Sequence, residues 1–527
     1  MPLLICAPLL LCLLYDLCVR TGDLASGPAL RLALSEKILG GQLPYTQFFS
    51  LDTPWLLYLS CLPVKLNEIL AGMHMMQPLV PMTKLIFFLL IVVSLLLTLW
   101  LLAGKLREQP TMAELRPLFY GLPLALVAGS YFVRFQLGEA QHLFAIFLLP
   151  YLIARWLSYT GDASSKSNST AAIVVGSLCA LFGSADLLFY FIILLIEGAL
   201  ALAWKRFVGD KSFGSFVITT LLLWATFFLL PPPVQVAFTK WILPLRFAKL
   251  LVYDDALSSV NCAPDNRFAL CLFAVTTVCG ILLKDRLSLL APLVVLAVLG
   301  VFTYAIECEG FSSGLILANF ACLITLALAF IYLLFIISEK AKSRKVLLLS
   351  LFFLSLSASY LFFQKSGSAI DMALGLPVNI RKNGLPDLQE ILNTMSAPGD
   401  NVLILSDFAN ASYPSLVYYD RKQYGFVSYA RPLHLFRLLS GAGRLSPALI
   451  EYQKLTREKL LADIESSKAK IIFVHVNHVA EDIALDGLMA ALDSRYMLAG
   501  RAYYYNQRVE PRESAGGNLP FDYYVLR

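Results

Sequence analysis

Apolar runs of about twenty residues recur along the first two thirds of the chain, and short polar loops separate them. A helix of about 20 apolar residues is long enough to cross the roughly 30 Å hydrocarbon core of a bilayer. The pattern therefore predicts about eleven membrane-spanning helices. They cover residues 3–18, 83–104, 117–134, 140–157, 171–185, 187–204, 214–231, 267–283, 287–306, 314–338 and 346–363.

The first of these runs, residues 3–18, has two readings. A secretory signal peptide is also a short apolar stretch, but it carries basic residues ahead of the run and a small-residue cleavage site behind it. Neither feature is clear here, and Asp16 interrupts the end of the run. The pattern favours an uncleaved first span.

One further apolar stretch, residues 51–71, is interrupted by Asp52, Pro54, Pro63, Lys65 and Glu68. Positive charges concentrate in the cytoplasmic loops of membrane proteins, and this rule decides whether the stretch spans. If it does not span, the basic loops at 105–116, 155–166, 205–211, 284–286 and 340–345 all lie inside. The charges therefore predict that residues 51–71 lie at the outer interface or re-enter, with the N-terminus inside and the C-terminus outside.

The C-terminal region changes character at about residue 366, where charge rises and apolar runs shorten to strand length. Strands are predicted at 400–406 and 470–475, helices at 451–467 and 482–492, and terminal strands around the tyrosines at 503–505 and 523–524. The alternation predicts a small α/β domain, residues 366–527, outside the membrane. Residues 1–365 form the predicted helical bundle, with a long first external loop at 19–82.

Composition agrees with a membrane protein, since 58% of residues are hydrophobic, 15% are charged and the mean hydropathy is +0.70. The ten cysteines form no CxxC pair, so we interpret them as small buried side chains. Cys262 and Cys308, in predicted external loops, could pair. The C-terminal region carries no GxGxxG or GxxxxGK[ST] motif, and nothing in the chain points to a nucleic-acid partner.

Two acidic residues stand at the outer ends of predicted spans. Asp23 opens the first external loop and Glu139 lies on the second. In one reading they reach water at the membrane interface, as most such residues do. In the other they converge on one pocket, where one carboxylate acts as general base and the other orients a donor. Arg134 or His142 would then hold a phosphate, because Arg presents a planar fork to anionic oxygens.

Two segments resemble membrane glycosyltransferases of the GT-C superfamily, which includes protein O-mannosyltransferases and lipid A aminoarabinose transferases. The stretch from Asp23 through Gly41–Tyr45 to Pro54–Tyr58 resembles their first external loop, an acidic residue followed by G-x-x-x-Y-x-D and P-P-l-l-Y. Residues 138–143 and 149–152 are similar to their G-Q-R-E-H-L…L-P-Y-L segment. Gln47 stands where the family usually has Asp, and Gln141 where it has Glu.

The resemblance implies transfer of a sugar, with inversion, from a polyprenyl-phosphate donor to a lipid, glycan or protein acceptor outside the cytoplasmic (inner) membrane. Asp23 would be the base and Glu139 the assisting acid. The substrate-binding candidates are Arg134, His142, Gln141, Tyr45, Lys240 and Arg246, several of them as phosphate contacts. A divalent cation, Mg²⁺ or Mn²⁺, is compatible with two carboxylates and a phosphate, although the spacing does not require one.

Two other classes of function stay open at this level. A transporter or flippase for a lipid-linked or polar solute would show polar residues and helix breaks deep in paired helices, often in two matching halves. Here the midplane is poor in charge apart from Glu197, and polar residues gather at the outer face. A catalytically inactive scaffold would account for the departures at Gln47 and Gln141.

Overall fold

The computed structural model describes most of the chain. The described residues are 2–15, 17, 24–72, 79–108, 115–132, 136–160, 169–252, 264–283, 287–307, 316–340, 344–363, 387–406, 412–413, 415–427, 431–476, 479, 487–505 and 518–527. Within them, the first part of the chain is helical and the last part adds a small sheet.

The helices of the first part follow the predicted apolar runs closely. They are α1 (Pro2–Tyr15), α2 (Ser26–Leu39), α3 (Pro54–Leu59), α4 (Cys61–Gly72), α5 (Leu79–Glu108), α6 (Leu115–Phe132), α7 (Ala140–Thr160), α8 (Ser169–Gly183), α9 (Leu187–Ala203), α10 (Lys211–Phe227), α11 (Pro232–Ala237), a π-helix (Phe238–Ile242), α12 (Leu243–Val252), α13 (Pro264–Leu283), α14 (Leu290–Glu307), α15 (Ile316–Lys340) and α16 (Arg344–Phe363).

Three of the described helices are long and apolar enough to cross a membrane: α5, α7 and α15. A fourth crossing is possible if α10 and the helix that follows it, which are bent by 111° relative to each other, count as one span. A helix also overlaps each of the other predicted runs, but these helices are shorter or less apolar. The chain is therefore a helical membrane protein, and the count of eleven crossings remains a prediction.

Residues 51–71 form two short helices, α3 and α4, each too short to span a bilayer. Thr53 caps the first of them, since its side chain accepts a hydrogen bond from the Leu56 N–H, and Pro54 occupies the first helical position. Asp186 caps α9 and Asp210 caps α10 in the same manner. The polar residues that interrupt the apolar pattern thus begin helices.

A buried ion cluster joins the ends of α7, α9 and α10. The Arg155 guanidinium is fully buried and binds both carboxylate oxygens of Glu197, at 2.7 and 2.6 Å, and one oxygen of Asp210 at 2.6 Å. The Tyr151 hydroxyl donates to Glu197 at 2.8 Å, and Arg155 also donates to the Val208 carbonyl oxygen at 2.7 Å. These contacts hold the three helices together about 22 Å along α7 from its first residue, Ala140.

The second part of the chain contains a five-stranded mixed sheet and small helices. The elements are α17 (Leu388–Met395), β1 (Asn401–Leu405), α18 (Ser415–Tyr418), β2 (Lys422–Gln423), α19 (Arg431–Gly441), α20 (Pro447–Glu465), β3 (Ile471–His475), α21 (Leu488–Arg495), β4 (Tyr496–Tyr505) and β5 (Asn518–Leu526). The strand order is β2-β1-β3-β5-β4. Strand β1 is parallel to β2 and β3, whereas β5 is antiparallel to β3 and β4.

The predicted strands and the long amphipathic helix of this α/β part are confirmed. Strands β1 and β3 cover the apolar runs, and the two tyrosine groups lie on β4 and β5. The predicted helix at 482–492 begins later, at Leu488, and residues 481–486 lie outside the described part. The pattern therefore gave the elements of this part more accurately than their ends.

The sheet-containing part packs directly on the first loop and on the π-helix. The backbone N–H of Phe49 donates to the Phe426 carbonyl oxygen at 2.8 Å. The Tyr452 ring stacks on Trp241 with centroids 4.8 Å apart, and its hydroxyl contacts the Tyr45 carbonyl oxygen at 3.4 Å. The α/β part and the first loop are thus joined by both backbone and aromatic contacts.

The contact of Lys37 with the α/β part makes the folding stability depend on pH. Its Nζ donates to the Gly425 carbonyl oxygen at 2.9 Å, and burial lowers the pKa of Lys37 from 10.5 to about 8, with Asp463 opposing the shift. Between those pH values the unfolded chain binds more protons at this lysine than the folded protein does, so folding stability rises with pH. We expect the melting temperature of the unmodified protein to increase relative to that of Lys37→Met as the pH rises from about 8 to 10.5.

The matched control for this prediction is Lys454→Met, which removes an exposed lysine from α20. Thermal unfolding of the three proteins across the same pH series makes the comparison. A Lys37→Met profile that runs parallel to the unmodified protein, as the control should, would contradict the assignment.

Candidate functional site

The first turn of α2 meets the second predicted external loop. The Gly27 backbone N–H donates to Glu139 Oε1 at 3.1 Å, and Arg31 Nη2 donates to the Gly138 carbonyl oxygen at 2.6 Å. Gly138 has φ +84°, a left-handed conformation that glycine adopts without strain. The two loops that carry the predicted acids are therefore neighbours.

Arg31 brings a third segment to this contact. Its guanidinium lies 3.9 Å from Asp52 Oδ1 and 4.0 Å from Glu139 Oε2. Arg31 itself is 5% exposed, while both carboxylates are partly open to solvent. One buried cation thus holds two accessible carboxylates from different loops in one cluster, which we call the acid cluster (Arg31, Asp52 and Glu139).

The backbone around Asp52 is fixed from several sides. The Tyr45 hydroxyl donates to the Asp52 carbonyl oxygen at 2.8 Å, and Thr53 donates to the Ser184 carbonyl oxygen at 2.8 Å. Tyr45 is fully buried and has φ +66°, which is uncommon for a residue with a side chain. These contacts position Asp52 on a rigid support.

A second cation, Arg246 from α12, reaches the same segment. Its Nη1 donates to the Leu51 carbonyl oxygen at 3.0 Å, and its Nη2 pairs with Asp186, the residue that caps α9. Arg246 is only partly buried. It therefore contacts the residue that precedes Asp52 in the chain, and its side chain is partly exposed.

The predicted site residues divide into three groups. Asp23 and Arg134 lie outside the described residues. Glu139 belongs to the acid cluster, and Tyr45 and Arg246 support the segment that carries Asp52. The third group consists of Lys240, Gln141 and His142.

The residues of the third group take no part in the hydrogen bonds and ion pairs given for the acid cluster. Lys240 forms an ion pair of 2.7 Å with Glu451 of α20, where the π-helix contacts the α/β part. Gln141 and His142 are buried in the first turn of α7. Neither ring nitrogen of His142 has a hydrogen-bond partner among the described residues.

Sequence reasoning did not single out Asp52, Arg31 or Lys84. Arg31 interrupts an apolar run in α2, and Lys84 stands at the start of the predicted span 83–104. A charged residue within an apolar run is uncommon and often functional, and this pattern could have identified both residues from the sequence. Lys84 is buried one turn before Phe87, whose ring packs against Gly138. Asp52 had no such signal, because only the fold brings it to Arg31.

Gln47 takes a structural part in the first loop. Its side-chain oxygen accepts the Leu43 backbone N–H at 2.7 Å and closes the turn that precedes the segment with Asp52. An amide oxygen fulfils this role as well as a carboxylate does. The acid at this end of the loop is therefore Asp52, five residues further on.

A divalent cation does not fit between the two carboxylates of the acid cluster. Magnesium and manganese prefer carboxylate and water oxygens, but the Arg31 guanidinium already stands within 4.0 Å of both Asp52 and Glu139. Over the described ranges, no three His, Cys, Asp or Glu side chains gather as metal ligands. The Arg31 guanidinium therefore supplies the positive charge between these two carboxylates.

Gly27 tests whether the position of Glu139 matters. A Cβ added at Gly27 would lie 2.2 Å from Glu139 Oε2, so Gly27→Ala must displace the carboxylate or the helix. The carboxylate ends a flexible side chain and can move aside, so we expect a loss of about 1 kcal/mol of folding stability from its displaced contacts, measured by thermal melting. The control Gly214→Ala, in α10 with nothing within 4 Å, should be neutral or stabilise by up to about 1 kcal/mol. Equal melting behaviour of the two variants would contradict the tight contact.

In sequence comparisons, no protein-family model and no curated protein matches the chain. The function proposed for the site therefore rests on the resemblance of the two loop segments and on the contacts of the acid cluster.

Proposed function

We propose that this protein is a membrane glycosyltransferase that moves a sugar, with inversion, from a polyprenyl-phosphate donor to a lipid, glycan or protein acceptor. The observation that carries the proposal is the acid cluster, in which Arg31 holds Asp52 and Glu139 together at 3.9 and 4.0 Å. Sugar transfer from a lipid phosphate needs a base for the acceptor hydroxyl and cations for the departing phosphate. In this proposal Asp23 supplies the base, Arg246 supplies the cation, and the carboxylates of the acid cluster orient the substrate.

Asp23 is the proposed base. Only two residues, Leu24 and Ala25, separate it in sequence from Ser26, which begins α2. The next residue of that helix, Gly27, donates its backbone N–H to Glu139. We assign Asp23 to the same site on the basis of this short connection in sequence. It is also the acid that opens the resemblance to the GT-C first loop.

Glu139 is proposed as the orienting acid and not as the base. One of its carboxylate oxygens already accepts the Gly27 N–H and the other lies against Arg31, so both oxygens are held in fixed contacts. Asp52 shares the Arg31 contact and adds a second fixed negative charge. Such fixed charges orient a hydroxyl or a sugar without taking up its proton.

Arg246 is the proposed phosphate contact among the described residues. It is partly exposed, it donates to the Leu51 carbonyl oxygen, and its planar fork suits phosphate oxygens. Lys240 is less suited, because it pairs with Glu451 of the α/β part and its described contacts do not reach the segment that carries Asp52. Arg134 and His142 stay candidates for the same role.

The proposal places the site on the outer face of the cytoplasmic membrane, with eleven crossings, the N-terminus inside and the α/β part outside. The one-sided distribution of basic loops supports this orientation. An impermeant thiol reagent should label a cysteine introduced at the exposed Glu458 in intact cells and should not label one at Gly209. The reverse pattern would contradict the orientation.

The experiment that tests the function is transfer of a radiolabelled sugar from polyprenyl-phosphate donors by the purified full-length protein in nanodiscs. Glu139→Gln should lower the rate by roughly 10²-fold, because the amide keeps the shape but loses the charge that orients the substrate. The control Glu458→Gln changes an exposed carboxylate on α20 and should leave the rate unchanged. Equal rates for the two variants would contradict the assignment of the site.

A further inference from the structure

The chain turns sharply after α10. The axes of residues 211–227 and 232–248 differ by 111°, and only four residues connect them. Helix α10 has 17 residues and a length of about 25 Å, close to the thickness of the hydrocarbon core. If α10 runs across the bilayer, the helix after the turn runs nearly parallel to the membrane plane. We call residues 228–248 the bend segment.

The bend segment has one buried face and one exposed face. The buried side chains are those of Val234, Ala237, Phe238, Ile242 and Leu245. The exposed large apolar side chains are Phe228 at 75%, Leu229 at 83%, Val236 at 56% and Phe247 at 55%. A soluble surface seldom leaves four such side chains open along one short stretch, so they indicate a contact with another apolar phase.

The exposed face of the bend segment continues the exposed face of α10. Ile218, Leu221 and Leu222 on that helix are each at least 60% exposed, as expected of side chains that face lipid. The apolar surface therefore runs along the helix and around the bend without a change in character. If this face of α10 contacts lipid, the exposed face of the bend segment, which continues it, contacts lipid as well.

Aromatic side chains gather at the bend. Trp55 packs edge-on against Trp224 at 4.7 Å between ring centroids and donates its indole N–H to the Leu223 carbonyl oxygen at 2.9 Å. Phe227 lies beside both tryptophans. Tryptophan is enriched where the hydrocarbon meets the headgroups, so the cluster marks the bend as the level of the membrane surface.

We infer that the bend segment lies in the membrane surface, with Phe228, Leu229, Val236 and Phe247 among the lipid acyl chains, and that it holds the α/β part against the bilayer. The same segment reaches that part through Trp241, which stacks on Tyr452. It also reaches it through the ion pair of Lys240 with Glu451. The surface concerned is the one on which the α/β part lies.

The occupant of this face is phospholipid, bound by its acyl chains and not by its headgroup charge. The exposed side chains that carry the contact are apolar, and Lys240 on the same segment is paired within the protein. Amphipathic segments with an apolar face bury that face at the headgroup and acyl boundary. The inference does not depend on the proposed enzymatic activity.

The test places the photoreactive residue p-benzoylphenylalanine at Val236 or at Phe247 of the full-length protein in phosphatidylcholine nanodiscs. Both positions are exposed, so the replacement leaves the buried face intact. Leu222 on α10, 60% exposed, is the reference for a lipid-facing position, and Leu498 on β4, 55% exposed, is the reference for a position in the α/β part. Mass spectrometry after irradiation reads the yield of phospholipid adduct at each position.

We expect adduct yields at Val236 and Phe247 close to that at Leu222 and several-fold above that at Leu498. Yields no higher than at Leu498 would overturn the inference. Cross-links from Val236 or Phe247 to a second protein chain in place of lipid would also overturn it, because the face would then be a protein interface.

Discussion

Asp23→Asn should lower sugar transfer by roughly 10² to 10⁴-fold while the protein stays folded. The substitution keeps the size and the hydrogen-bonding capacity of the side chain but removes its basicity. A base that takes the proton of the acceptor hydroxyl cannot be replaced by an amide. The measurement is the turnover of purified protein in nanodiscs, normalised to the folded fraction.

The control for Asp23→Asn is thermal melting of the same sample, together with the acid-cluster variant Asp52→Asn. An aspartate with a purely structural role would lower the melting temperature and leave the turnover per folded molecule nearly intact. Asp52 contacts Arg31, so its substitution is expected to affect both quantities. Transfer by Asp23→Asn at the rate of the unmodified protein would show that the base assignment is wrong.

Arg155→Met should cost about 3 to 5 kcal/mol of folding stability, because it leaves buried carboxylates without their cation. The fully buried guanidinium binds Glu197 through two hydrogen bonds and Asp210 through a third. Methionine retains much of the side-chain volume, so the loss reflects charge and hydrogen bonding more than packing. Equilibrium unfolding in mixed micelles measures the change.

Two further variants identify the cause of that loss. The double variant Arg155→Met/Glu197→Gln should recover part of the stability, since the largest uncompensated charge is gone. Lys454→Met removes one partner of an exposed pair on α20 and should have no measurable effect. If Arg155→Met behaves like Lys454→Met, the buried cluster does not stabilise the fold.

The helices of this protein could be predicted because their signal is local. A run of apolar residues specifies a lipid-facing or buried helix wherever its neighbours lie, and a helix overlaps each of the predicted runs. The strands β1 and β3 are also continuous apolar runs, and both lie where they were predicted. The 111° turn after α10 had only a weak local signal, Pro231 to Pro233, and the predicted span 214–231 ran through its start.

The acid cluster was predictable only in part. Asp23 and Glu139 stand out because each is an acid at the end of an apolar run, and the placement of Glu139 against α2 agrees with the idea that the two loops meet. Asp52 and Arg31 are 21 residues apart in sequence, and nothing in their spacing predicts a contact. The contact depends on how α2, the first loop and the turn between α8 and α9 pack, which is a property of the whole fold.

Lys240 shows the limit of reasoning from charge alone. An exposed cation in a predicted external loop was a reasonable phosphate contact, but the fold places it against Glu451, 211 residues further along the chain. A sequence gives the sign and the side of such a charge but not its partner. Arg246, six residues later, was predicted as a phosphate contact for the same reason. It donates to the carbonyl oxygen of Leu51, the residue before Asp52 of the acid cluster.

Sugar transfer by the unmodified full-length protein is the direct test of the proposed activity. Nanodiscs containing polyprenyl-phosphate sugars would be incubated with candidate acceptors, and nuclear magnetic resonance would report the anomeric configuration of the product. We expect a glycosylated product with inverted configuration and release of the polyprenyl phosphate. Folded protein that transfers no sugar from any such donor, or a product that retains the configuration of the donor, would contradict it.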